Sequence, residues 1–368
     1  MKRTTLGRVA VPAAAVLTLA LGGCGAANES AAGPSGAPGG GSGLTGTISG
    51  AGSSAQAAAI AAWKATFEQA NPGVTVNYDP VGSGGGREQF LSGGVDFGGT
   101  DAHLTGDELK QSQERCAPGE LVEVPIYLSP ISVAYHLEGV DNLRLAPTTL
   151  AKIFSGEVTT WDDPAIAKHN PGADLPGTRI TPVHRSDDSG TTENFTDYLA
   201  QAAPNAWPHE VAGTWPTGGG EAAKGTTGVV QAIRSGNGAI GYADHSQIGD
   251  LPSVRVKVGS EYVAASADSA ARIVDASSRV DGRGRYDAAL DLERTTTQAG
   301  TYPIVLASYQ LYCTAYDDPQ TTKVAKAWLG YISSAEGQQV AAEAAGSAPL
   351  SDSGRQLVTD AVAAMGAK

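Results

Sequence analysis

Residues 184–192, His-Arg-Ser-Asp-Asp-Ser-Gly-Thr-Thr, put an imidazole, a guanidinium, two carboxylates and a run of hydroxyls side by side. These residue types allow two chemistries. One is nucleophilic catalysis, with Ser189 as nucleophile and His184 as base. The other is a cradle for an oxyanion, with Arg185 as a two-pronged fork and Ser189, Gly190 and Thr191 as hydroxyl and amide donors. Spacing favours the cradle. Ser189 does not sit in a GxSxG elbow, and His184 alternates with strand-like residues, so it points away from Ser189. A GxxxxGK[ST] phosphate loop is absent. The six histidines, at 103, 136, 169, 184, 209 and 245, are dispersed and contain no HExxH pair. An enzyme, a metal site and a cofactor are therefore not expected.

The elements that must position such a cradle recur along the chain. Ile180–His184 alternates like a strand, 185–190 is a polar turn, and Thr191 onward has helical composition. The same order appears at Leu44–Gly52, then Ser53-Ser54, then a helix pattern with Ile60, Trp63 and Phe67, ended by Asn71-Pro72-Gly73. It appears again at 74–78, then the turn Gly82-Ser83-Gly84-Gly85-Gly86, then a helical stretch from Arg87. A helix start carries unpaired N–H groups and a partial positive charge, so small residues there admit an oxyanion. Any one such turn is more simply a helix cap. Three of them, one with an embedded arginine, point to a shared anion.

A fourth stretch, Val95-Asp-Phe-Gly-Gly-Thr-Asp101, reads as a strand through Val95 and Phe97 with Asp101 at its exposed end. A carboxylate beside an anion is repulsive unless the anion carries a proton. Because a carboxylate only accepts, it favours a protonated oxyanion and opposes one without a proton. At neutral pH phosphate keeps a proton and sulfate does not. The alternative role for Asp101 is a cap on the next segment.

At the N-terminus Lys2, Arg3 and Arg8 precede an apolar run that ends at Cys24. The run reads as a signal peptide over 1–23, and Leu21-Gly22-Gly23-Cys24 as a lipidation box that makes Cys24 an anchored N-terminus. Residues 24–44 have almost no bulky apolar side chains and read as a flexible linker. The rest, within a chain of 368 residues that is 41% hydrophobic, is long enough for about two domains of roughly 100–200 residues each. A net charge of −13 disfavours nucleic acid and anionic membrane surfaces, so any anion site must rely on local donors. With Cys24 given to lipid, Cys116 and Cys313 remain; outside the cytoplasm they are expected to pair, the alternative being two separate buried thiols.

Taken together, GAGSS, GSGGG, VDFGGTD, the block IFSGEVTTWDDPAIAKHN through HRSDDSGTTENFTDYL, and GTTGVVQAIRSGNGAIGYAD resemble the PstS family, the phosphate receptors of ATP-driven importers. The likeness runs from residue 47 to about 245 and continues through TYPIVLASYQLYC. It implies an α/β, periplasmic-binding-protein-like fold of type II, with a ligand shut in the cleft between two domains. The first domain would comprise 45–128 and 303–368 and the second 129–302, joined by crossing hinge segments near 123–133 and 301–313. Carried over residue by residue, the phosphate-binding set is Ser54, Ala55, Ser83, Asp101, Arg185, Ser189, Gly190 and Thr191. Asp187 would hold Arg185 in place. The implied protein is a monomer, lipid-anchored to the outer face of the membrane, which passes inorganic phosphate to the permease subunits of the importer. Two positions depart from the family pattern: Ala55 replaces a frequent bulky aromatic, and Gly84 a frequent serine. The rival readings are a receptor for sulfate, molybdate or another oxyanion, and a secreted phosphatase.

Overall fold

The structure, a computed structural model, describes residues 43–366. The signal peptide, Cys24 and nearly all of the linker lie outside the described residues.

The first half of the fold alternates strands and helices: β1 (Thr45–Gly52), α1 (Ala57–Ala70), β2 (Gly73–Asp79), α2 (Ser83–Leu91), β3 (Phe97–Thr100) and α3 (Gly106–Cys116). The chain leaves along β4 (Leu121–His136) into β5 (Arg144–Leu145), α4 (Pro147–Phe154), α5 (Pro164–Ala167), β6 (Thr181–Arg185), α6 (Gly190–Ala202), β7 (Glu221–Ala223), α7 (Gly225–Ser235) and β8 (Ala239–Asp244). It continues through β9 (Arg255–Val258), β10 (Glu261–Val263), α8 (Ala267–Ala276), β11 (Ser278–Arg279) and β12 (Leu290–Asp291), and returns along β13 (Val305–Cys313). Helices α9 (Pro319–Ser333), α10 (Ala335–Ala345) and α11 (Asp352–Ala364) complete the described chain.

One sheet of order β2-β1-β3-β13-β4-β8-β6-β7 runs through both halves. The outer strands are parallel, as strand-helix-strand crossovers require, whereas β13 and β4 are antiparallel to their neighbours. Strand β4 is shared: Leu121–Pro130 pairs with β13, and Ile131–His136 pairs with β8. Both crossing strands are buried almost throughout, which is why their sequences are apolar runs and not alternating ones. A bulge in the β4–β13 register falls between Ser308 and Tyr309, opposite Pro125, which has no N–H to give the ladder.

Several local expectations change. The glycines after Ser83 are not a turn but the first turn of α2, and Gly86 is glycine there because a side chain would strike Gly52 Cα at 2.4 Å. Val95 is half-buried and precedes β3. The helix-forming stretch 323–345 carries the end of α9 and all of α10, separated where Ser334 turns extended (ψ 163°) and accepts a hydrogen bond from Gly337 N–H at 3.0 Å to start α10. Cys116 at the end of α3 and Cys313 at the end of β13 form a disulfide, with Cα atoms 5.1 Å apart.

Asp244 closes β8, fully buried, where Oδ1 accepts from the Tyr127 hydroxyl and from Ser246, while Oδ2 has no hydrogen-bond partner among the described residues. Burial pushes this carboxyl up to about 6, against the hydrogen bonds of Ser246. An unfolded aspartate titrates near 3.9, so the folded state binds more protons in between. The stability Asp244 contributes is complete below about pH 4 and is lost as pH rises through about 6. Denaturant unfolding at a series of pH values should show wild type losing on the order of 2 kcal/mol relative to Asp244→Asn across that window. Parallel curves for the two proteins would contradict it.

Candidate oxyanion-binding site

The eight candidate residues come from four loops, and each is buried. Ser54 and Ala55 follow β1, Ser83 opens α2, Asp101 follows β3, and Arg185 ends β6, with Ser189 capping α6 and Gly190 and Thr191 in its first turn. The loops converge because parallel strands deliver their C-terminal ends to one edge of the sheet, where the next helix begins.

Contacts run around the site from one half to the other. Ser83 Oγ accepts the Asp101 N–H at 3.1 Å, and the Thr191 hydroxyl donates to Asp101 Oδ2 at 3.1 Å. Gly190 lies so close that a Cβ there would stand 2.7 Å from both Asp101 Cβ and Ser83 Oγ. Only glycine permits that approach without displacement. Gly84 N–H reaches the Asp188 carbonyl at 3.3 Å, and Arg87 on α2 spans to Glu108 at 2.8 Å, Asp188 at 3.5 Å and Glu193 at 4.0 Å. Burial pushes Glu193 up to about 7, against the pull of Arg87.

Arg185 is held from one side by Asp187, whose Oδ1 accepts from Nε at 2.8 Å and whose Oδ2 accepts from Nη2. Burial opposes the charge on Asp187, yet the hydrogen bonds and charge of Arg185 hold its carboxyl below the ordinary range. A second tie is the Gly225 N–H, which donates to Asp187 Oδ1 at 3.0 Å. Ser189 Oγ accepts the Thr192 N–H at 3.2 Å and keeps its own proton to give. The Ala55 N–H donates to Ser53 Oγ at 3.1 Å. His184 faces elsewhere: its ring nitrogens meet the Arg185 and Gly219 carbonyls, and its ring stacks on Trp215.

Sequence reasoning missed Thr226. Its N–H donates to Ser54 Oγ at 3.1 Å, the two hydroxyls lie 2.9 Å apart, and α7 thereby presents another helix start to the site. The GTTG run before an apolar helix was the available signal. Gln247 was missed too; its amide donates to the Ser54 and Ala55 carbonyls at 2.8 and 3.2 Å. Chemically, the arrangement offers hydroxyls, helix-start amides and a neutralised guanidinium to an oxyanion, with one acceptor-only carboxylate facing them.

A sequence profile described as a PBP superfamily domain matches residues 35–336. Phosphate-binding protein PstS 3 of Mycobacterium tuberculosis is 39% identical over 289 residues, 77% of either chain. The chain belongs to the PstS family. Another PstS 3, from Mycobacterium leprae, is 36% identical over 320 residues, covering 84% of this chain and 86% of its own. Among solved structures, a high affinity periplasmic phosphate-binding protein bound with phosphate superposes with a TM-score of 0.72. It covers 86% of this chain and 93% of its own at 22% identity, a likeness of fold. This PstS member therefore has the periplasmic-binding-protein-like architecture.

Asp187→Ala would leave Arg185 buried without its counter-ion, a change that costs about 3 kcal/mol or more in comparable buried pairs. Denaturant unfolding of the ligand-free PstS protein should show that loss; a change below about 1 kcal/mol would mean that Arg185 finds compensation elsewhere.

Proposed function

We propose that the protein captures inorganic phosphate outside the cytoplasm and delivers it to the permease of an ATP-driven importer. The observation that carries this reading is the meeting of Arg185 and the α6 start with Ser83, Ser54 and Asp101 from the other half. The names of the PstS relatives add to it. Arg185 forks onto two phosphate oxygens. Ser54, Ser83 and Ser189 give hydroxyl protons, Gly190 and Thr191 give amides at the α6 start, and the Ala55 amide gives its proton by exchanging Ser53 Oγ for the ligand. Asp101 accepts the proton that phosphate retains and so rejects sulfate.

In this reading residues 45–128 with 303–368 form one domain and 129–302 the other. The domains close about β4 and β13, a hinge motion that excludes water from the site. The protein acts as a monomer tethered through lipid on Cys24, after removal of the signal peptide. It is a receptor and not an enzyme, so Ser189→Ala lowers phosphate affinity with no hydrolytic rate to lose. Turnover of a phosphate ester by purified wild type would overturn that statement.

Calorimetric titration of the purified protein, stripped of bound anion, should give one phosphate site per chain and no heat with sulfate or molybdate. Asp101→Asn should narrow the phosphate-over-sulfate ratio by about tenfold or more, as expected for loss of a charge-assisted hydrogen bond. If sulfate binds while phosphate is ignored, the anion cradle stands and the ligand assignment falls.

A further inference from the structure

Behind Asp101 lies a chain of polar side chains that neither the fold nor the ligand shell requires. Gln56, Ser308, Gln310 and Tyr312 are all 0% exposed. Ser308, Gln310 and Tyr312 alternate along β13 and so share one face, turned toward Gln56 at the start of α1. Burying two glutamines in a core is costly unless every polar atom is satisfied, and apolar residues of the same shape would serve packing as well.

The direction of each hydrogen bond follows from one fixed point. Gln56 Nε2 lies 3.0 Å from the Tyr309 carbonyl, which can only accept, so the amide presents its NH2 there. The other N–H of that group points at Ser308 Oγ, 2.7 Å away. Ser308 thus accepts from Gln56, and its own proton goes to Asp101 Oδ1. On the far side Gln56 Oε1 accepts from Gln310 Nε2 at 3.2 Å, and Gln310 Oε1 accepts from the Tyr312 hydroxyl. Every proton in the series is donated toward Asp101.

We propose that Tyr312, Gln310, Gln56 and Ser308 form a one-way donor relay that fixes Asp101 as a hydrogen-bond acceptor toward the ligand and thereby sets selectivity for a protonated oxyanion. The proposal rests on the phosphate reading and extends it to positioning residues that do not touch the ligand. A proton-free anion has no proton to offer and meets only the acceptor oxygens of Asp101, whose positions Ser308 and Thr191 fix. The remaining contacts fix the same group in place: Thr191 on Oδ2, Ser83 on the backbone N–H and Asn194 on the backbone carbonyl at 2.7 Å.

The test compares phosphate and sulfate binding by calorimetry in wild type, Ser308→Ala, Gln56→Met and the double variant, with thermal melting alongside. Ser308→Ala should reduce the phosphate-over-sulfate ratio by about tenfold, chiefly through a gain in sulfate binding. Gln56→Met should move the ratio the same way, and adding it to Ser308→Ala should change the ratio little, because both act through one hydrogen bond to Asp101. A role in packing alone would weaken both anions together and leave the ratio unchanged, and that result overturns the relay. So does a full, additive effect of Gln56→Met in the Ser308→Ala background. If Ser308→Ala does not fold, Gln56→Met alone decides by the same ratio. Wild-type protein that ignores phosphate would overturn the phosphate reading and the relay with it; wild type that selects phosphate while both variants keep that selectivity overturns the relay alone.

Discussion

Two antiparallel strands, buried on both faces, hold the rest of this structure in place. Because β4 and β13 have no solvent side, a polar residue in either must be paired within the protein. The residues that break the apolar pattern are accordingly the informative ones. On β13 they are Ser308, Gln310 and Tyr312, whose hydrogen bonds lead to Asp101. On β4 they are Glu123, Ser129 and Ser132, of which Glu123 accepts the Leu104 N–H at 2.8 Å and pairs with Arg283 at 2.6 Å. Burial, followed by the charge of Asp287, pushes Glu123 well above the usual carboxylate range despite Arg283. Arg283 also donates to the Leu104 carbonyl at 2.7 Å. The excursion between the crossing strands is thus tied back to the first half at the root of β4, away from the anion cradle.

An acidic protein that takes an anion must solve an electrostatic conflict locally. With a net charge of −13 the long-range field is repulsive, and salt screens such a field within about 8–10 Å. What counts is what lies inside that distance. Helix starts supply partial positive charge without side chains, and α2, α6 and α7 all begin at the site. Arg185 adds a full charge, but one already compensated by Asp187, so it acts more through the geometry of its fork than through net attraction.

The architecture was legible in the sequence because its signals are local. A β-prone run marks β1 and alternation marks β2 and β6, small residues mark the turns that follow, and largely apolar, β-prone runs mark β4 and β13. The small residues of the turns stood out for the same reason, although each taken alone reads equally as a helix cap, as Ser189 is for α6. What remained hidden depends on contacts far apart in the chain. Gln56 reads as an ordinary helix former within an alanine-rich run, and Ser308, its partner, is 252 residues away. The start of α7 was obscured by Gly225, whose φ of +69° brings the chain into the helix without a side-chain cap. The break between α9 and α10 is by contrast local: a side chain at Gly337 would meet the Tyr331 carbonyl at 2.2 Å, so α10 can follow α9 this closely only because that residue is glycine.

The two departures from the family pattern become intelligible at the same level. A Cβ at Gly84 would lie 2.4 Å from Asp188 Cγ, so the space a side chain would need there is already taken by an aspartate. Asp188 in turn faces Arg87, so the carboxylate that takes this space is itself partnered by a cation. Beside Ala55 the Gln247 amide is fastened to the Ser54 and Ala55 carbonyls. Each small residue is therefore matched by a polar side chain reaching over from the other half. Gly84 and Ala55 are thus both bound to residues distant in the sequence, Asp188 and Gln247, and those contacts add to the hydrogen bonds and ion pairs around the four loops.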